Sequence, residues 1–169
     1  PRSEKKRQKL DVKTLSGVLS DYFTVRKELK ATTKNDMLKA MNEVCSEWLD
    51  KPLNKITPDM VAKRHHDHGE KRSRARANLA MRYLRALFNF AAAQYQTEEG
   101  KPFIELNPVT KLSQTKAWFR VARRQTVIKS HELGAWVSAV QSLPGVDNRD
   151  YFLVVLLTGL RREEALKLK

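Results

Sequence analysis

The sequence predicts an all-α chain: a four-helix bundle, a basic connector and the first helices of a second unit. Three observations predict it. Apolar residues recur at helical spacing in four successive segments between positions 14 and 95, and the first three segments are introduced by a threonine suited to cap a helix. Six lysines and arginines with no acid then occupy the stretch from Val109 to His131. Finally, an apolar run from Tyr151 to Leu157 meets Gly159, where a helix can stop, and helical spacing resumes beyond it. The expected divisions are a basic tail over 1–10, a helical bundle over 11–108, a connector over 109–129 and the opening of a truncated second unit over 130–169.

Composition bounds the partners. The 169 residues carry 33 lysines and arginines against 19 acids, a formal net charge of +14, with 41% hydrophobic residues. That is enough apolar side chain for a core and an excess of positive charge that favours a polyanion by counterion release. No stretch is long and apolar enough to span a bilayer, and the start, Pro1-Arg2-Ser3-Glu4-Lys5-Lys6-Arg7, is not followed by the apolar run of a secretory signal. A soluble, intracellular protein is expected. Cys45 is the single cysteine and is most simply a buried apolar side chain. The absence of an initiator methionine and an end in mid-helix at Lys169 suggest a piece of a longer polypeptide.

In the first helix, capped by Thr14, Leu15, Val18, Leu19, Tyr22 and Phe23 share one face. The second is expected to start at Thr32 or Thr33, with Asp36 completing a capping-box-like pair with Thr33; its stripe is Met37, Leu38, Met41, Val44, Cys45, Trp48 and Leu49, and Pro52 ends it. Thr57-Pro58-Asp59 opens a third helix, and Gly69 is expected to mark its end. That helix carries Lys63, Arg64, His65, His66 and His68, side chains that face solvent or phosphate; zinc would need more ligands than these histidines supply.

The fourth helix, about Ser73 to Tyr95, is the most informative of the bundle. Leu79, Tyr83, Ala86, Leu87, Phe90 and Ala91 define its expected buried face, and Arg74, Asn78, Arg82, Arg85 and Asn89 recur on an opposite stripe. Arginines and asparagines without an acid suit a helix lying against a DNA groove, because arginine serves phosphates and guanine edges and asparagine serves adenine. A plain solvated face is the alternative.

Thr97-Glu98-Glu99-Gly100-Lys101-Pro102 breaks the helix and Asn107-Pro108 closes the region. In the connector, Lys116, Arg120, Arg123 and Arg124 are candidate backbone contacts, and the interleaved Trp118 and Phe119 either stack on bases or pack on a neighbouring domain. Ser130 is expected to cap a helix through Leu133, Trp136, Val137 and Val140, and Pro144-Gly145 turns the chain into a buried helix ending at Gly159. Arg161 then falls at the exposed start of the next helix, where free N–H groups favour an anion.

The run Thr158-Gly159-Leu160-Arg161-Arg162-Glu163-Glu164-Ala165-Leu166-Lys167-Leu168 resembles the Thr-Gly-Leu-Arg-x-x-Glu-x-x-x-Leu signature of the tyrosine recombinases, or phage integrases. The resemblance implies a SAM-like core-binding bundle followed by the start of a catalytic domain, with Arg161 holding the scissile DNA phosphate and Glu164 supporting it. A guanidinium fits two phosphate oxygens and meets charge that grows in the transition state. The local alternative is an ordinary surface pair worth a few tenths of a kcal/mol.

The same resemblance implies double-stranded DNA as partner, homo-oligomers on paired sites, accessory DNA-bending proteins, no cofactor and no metal. It further implies a cytoplasmic, nucleoid-associated protein encoded by a phage, prophage or integrative element. The family's later catalytic residues, including the tyrosine that forms a 3′-phosphotyrosyl link, have no match here. Tyr22, Tyr83, Tyr95 and Tyr151 all precede Arg161. The chain alone is therefore expected to bind and not cut. Its apolar surface from about Ser130 is expected to be incompletely covered, a site for self-association. A non-catalytic DNA-binding module occupying sites as a decoy is the competing reading, and a helical RNA-binding protein a more distant one.

Overall fold

The computed structural model describes residues 13–97, 100–123 and 125–168. The expected tail over 1–10 and the candidate Arg124 lie outside the described residues. The fold is all-α: among the described residues there is no strand, only isolated bridges between Thr14 and Pro52 and between Gln96 and Pro102. The chain divides into two compact units, Pro1–Ala122 and Arg123–Lys169.

The first unit contains α1 (Leu15–Val25), α2 (Ala31–Val44), α3 (Pro58–Lys71), α4 (Arg74–Gln94) and the short α5 (Thr110–Gln114). Three starts follow from their capping side chains. Thr14 accepts the Gly17 N–H, Thr57 accepts that of Met60 ahead of Pro58 at the first turn of α3, and Ser73 accepts that of Arg76. The 21-residue α4 packs on α1, α2 and α3. Its Ala80, Met81, Leu84, Leu87, Phe88 and Ala91 form one buried cluster with Leu15, Val18 and Leu19 of α1, Met37, Ala40, Met41 and Val44 of α2, and Val61 of α3. Cys45 belongs to that cluster, and burial pushes its thiol up to about 12, so it serves as an apolar side chain.

Several expectations are corrected. Asp36 does not cap α2: Lys30 stands at that start without a side-chain bond, and Asp36 instead accepts from Arg76 Nη1 at 2.9 Å and from the Tyr83 hydroxyl at 2.8 Å, tying α2 to α4. α2 stops at Val44, before a 3-10 turn over Ser46–Trp48 that seats Trp48 in the core, so Pro52 is not its terminator. The buried face of α4 is rotated from the expected one. Leu79, Tyr83, Ala86 and Phe90 are only half-buried, whereas Ala77, Asn78, Met81, Leu84 and Phe88 are buried, because chain packs over one more flank of α4 than the helices before it supply.

The covering chain is the start of the expected connector. Val109 and Leu112 are fully buried in the same cluster, and α5 packs on α3. Residues 109–122 thus belong to the bundle's unit.

The second unit contains a 3-10 turn (Ser130–Glu132), α6 (Leu133–Gln141), α7 (Val146–Thr158) and α8 (Arg162–Ala165). Ser130 opens the turn and does not cap a helix; the Glu132 carboxylate holds the Lys129 N–H at 3.0 Å. The apolar helix is not buried. α7 packs on α6 and α8, none of its residues is buried, and Leu157 is 83% exposed. Phe152, Leu166 and Leu168 are exposed as well.

The acid limb of stability tests the α2–α4 tie. The Arg76 hydrogen bond, then that of Tyr83, holds the Asp36 carboxyl below the usual aspartate range, and Lys13, then Tyr95, does the same for Asp21. A carboxyl depressed in the folded state contributes stability that is complete above its unfolded value and is lost as pH falls through its folded value. The urea midpoint is expected to fall as pH drops below about 4, and Asp36→Asn to lose part of that dependence.

Candidate nucleic-acid interface

α3 and α4 follow each other with two residues between them, and the gap at their junction is closed by Trp118 and Phe119. Gly69 lies inside α3, not at its end, and its missing side chain makes room for an aromatic ring: a Cβ there would stand 2.0 Å from Phe119 Cε2. The same ring stacks on His65 with centroids 4.6 Å apart, and Trp118 meets His65 edge-on at 5.5 Å. Asn78 holds the backbone of Phe119 in both directions, its Nδ2 donating to the carbonyl at 2.9 Å and its Oδ1 accepting the N–H at 3.3 Å. Oδ1 can only accept, so His65, 2.8 Å away, donates through Nε2. Burial, against the Asn78 hydrogen bond, lowers the His65 pKa and favours this neutral form.

This geometry relocates most of the expected arginine and asparagine stripe. Asn78 is 7% exposed and bonded to Phe119 and His65, so it faces the interior and no groove. Arg85 donates to Ser113 Oγ at 2.7 Å and lies 5.1 Å over the Trp118 ring. Asn89 accepts from Asn107 at 2.7 Å, and Arg74 pairs with Glu70 at 3.0 Å while lying 5.4 Å over Phe119. The stripe flanks the core face beneath residues 107–119 instead of opposing it. Arg82 remains exposed with neither hydrogen bond nor ion pair. Lys116 and Arg120, on either side of the Trp118–Phe119 pair, are likewise exposed and unpaired. Arg123 is exposed at the start of the second unit.

A second charged region lies between α2 and α3, in an open groove of about 540 Å³ lined by Lys63, Arg64, Lys71 and Arg72 and by the acids Glu43, Glu47 and Asp67. Arg64 is committed to Glu47 and to the Trp48 ring 5.4 Å away, which leaves Lys63, Lys71 and Arg72 without ion partners. Lys71 and Arg72 lie past Gly69, where the local signal ends the helix, so nothing in the sequence placed them on this groove. The acids there are partly neutralised: Arg76 Nε binds Glu43 at 2.8 Å. His68 stands 3.7 Å from the same carboxylate, and burial, opposed by Glu43, lowers its pKa. Among the described residues no three His, Cys, Asp or Glu side chains converge as metal ligands would.

In the second unit Gly159 takes the left-handed conformation, φ 66°, that ends α7, and its N–H returns to the Val155 carbonyl at 3.0 Å. Arg161 is the residue before α8, with its side chain 87% exposed. Glu164 accepts the Arg161 N–H at 2.9 Å and Nη1 at 3.3 Å. Of the N–H groups expected to be free at this helix start, that of Arg161 is satisfied by Glu164.

Over 123 residues, 72% of its length, the chain is 31% identical to the prophage integrase IntF of Escherichia coli strain K12. That similarity supports a relationship to the phage integrases. The aligned part is 25% of IntF, so the chain spans about a quarter of that protein's length. No family model matches the chain, and no solved structure matches it.

The two placements of Asn78 make opposite predictions. As a buried bridge, Asn78→Ala is expected to lower stability by about 1–3 kcal/mol in urea denaturation, since the Phe119 backbone and His65 lose their partner. A groove-facing asparagine would leave stability unchanged.

Proposed function

We propose that the chain is the duplex-DNA-binding bundle and the opening of the catalytic unit of a site-specific tyrosine recombinase, whose complete form cuts and rejoins DNA through a 3′-phosphotyrosyl intermediate. The observation that carries this reading is the setting of Arg161. In a chain similar to a prophage integrase, the arginine of Thr158-Gly159-Leu160-Arg161 projects into solvent two residues after a left-handed glycine, with Glu164 bonded to its N–H and to Nη1. A guanidinium bonded through Nη1 alone keeps donors free for two oxygens of one phosphate. The arrangement suits a trigonal-bipyramidal phosphorus, where negative charge grows on those oxygens.

The bundle supplies affinity by a different route. Arg82, Lys116 and Arg120, with Lys63 in the α2–α3 groove, are exposed cations without ion partners, as phosphate contacts require. Their release of counterions from DNA makes binding depend on salt and little on sequence. Homo-oligomers on paired sites and accessory DNA-bending proteins belong to the complete enzyme under this reading.

A salt series with a short duplex tests it. The chain is expected to bind duplex DNA with affinity falling steeply as salt rises, and Arg82→Ala to reduce the log–log slope by about 1. Arg161→Ala is expected to leave binding by this chain nearly unchanged while abolishing cleavage in the complete protein. Preference for structured RNA over duplex DNA would contradict the reading.

A further inference from the structure

Lys116 is the one non-glycine residue with positive φ among the described residues, at 52°, a backbone state that non-glycine residues seldom adopt. With the Ala117 N–H returned to the Leu112 carbonyl at 2.9 Å, it reverses the chain after α5 and delivers Trp118 and Phe119 to the α3–α4 junction. There the two rings meet His65, Gly69, Arg74 and Arg85, Asn78 binds the Phe119 backbone, and the Trp118 indole N–H donates to Ser113 Oγ at 3.0 Å. Beyond Phe119 this bonding stops: among the described residues, the next hydrogen bond along the chain is that of Lys129 with Glu132. The ordered bundle ends at one aromatic pair, with an exposed cation just before it, Lys116, and another just after it, Arg120.

We propose that Trp118–Phe119 is a latch that holds Lys116 and Arg120 as pre-ordered contacts for the phosphate backbone of duplex DNA, an inference that rests on the DNA-binding reading above. A cation on a loose tether surrenders backbone and side-chain freedom when it meets a phosphate; one already held on a folded segment surrenders less. Phe119 is then a positioning residue. It bears no charge, yet it sets the affinity obtained from a fixed number of neutralised phosphates.

Two substitutions open the latch from opposite sides. Phe119→Ala removes the ring, and Gly69→Ala places a Cβ where the ring lies while favouring the helix that carries it. Phe119 stands outside the buried cluster, so the core is expected to be retained in both, with the urea midpoint as the check. The full chain and its variants are compared by duplex affinity across a salt series and by the rate of tryptic cleavage after Lys116. Both latch variants are expected to be cut faster there and to bind roughly three- to tenfold more weakly, with the salt slope of the parent. The double variant Lys116→Ala/Arg120→Ala is expected to lose about 2 from that slope.

Faster cleavage with parental affinity would overturn the proposal, leaving the aromatic pair a purely structural clasp. Unchanged cleavage in both variants would overturn it too, since the latch would not be what holds the segment. If the parent chain itself fails to bind duplex DNA, the DNA-binding reading fails and the positioning role falls with it, while the cleavage rates still report whether the latch exists.

Discussion

The amide of Asn78 pairs with both backbone groups of Phe119 and gives His65 its acceptor, and much of the first unit is arranged around that small network. A chain segment that crosses between two helices has buried N–H and C=O groups and no ladder to satisfy them. One asparagine on α4 supplies a donor and an acceptor at the correct spacing, as a neighbouring strand would. The glycine at 69 then lets the ring come down onto α3, and a neutral His65 beneath it avoids placing a charge in the junction. Residues 107–119 follow as a cover over one flank of α4, and the arginines of that flank turn to stack on the cover's aromatic rings.

That arrangement divides the positive charge by role. Arg74, Arg76 and Arg85 hold the bundle together through Glu70, through Asp36 and Glu43, and through Ser113 with Trp118. Arg82, Lys116, Arg120 and Lys63 carry no such duty. An excess of +14 therefore overstates the contacts available to a polyanion but not the field that draws one in, because screened long-range attraction counts every charge.

Helix existence was legible wherever a cap and a stripe coincided. Thr14 and Thr57, read as caps from the sequence, do cap the helices that follow them. What failed was any inference that required knowing the neighbours. Gly69 reads locally as a terminator, and only a ring arriving from residue 119 shows why a glycine sits within a helix. Asn78 falls in register with exposed arginines, and nothing local signals that its amide serves a backbone 41 residues away. Asp36 sits at capping distance from Thr33, but the stronger partners come from α4. The apolar run of α7 reads as buried, whereas its burial depends on how many elements pack around it, and α6 with α8 leave Leu157 in solvent. For the candidate site, the left-handed Gly159 and the exposed Arg161 were both readable. That Glu164 would reach back to the Arg161 N–H followed only from the folded geometry.

Among the described residues, the hydrogen bonding of the first unit runs through Phe119 and stops there, and amide hydrogen exchange along residues 107–122 reads that point. The Phe119 N–H, held by Asn78, is expected to exchange as slowly as the interior of α4, with a sharp rise in rate from Arg120 onward. A Phe119 amide exchanging as fast as that of Arg120 would contradict it, and would make the whole stretch after α5 a free connector.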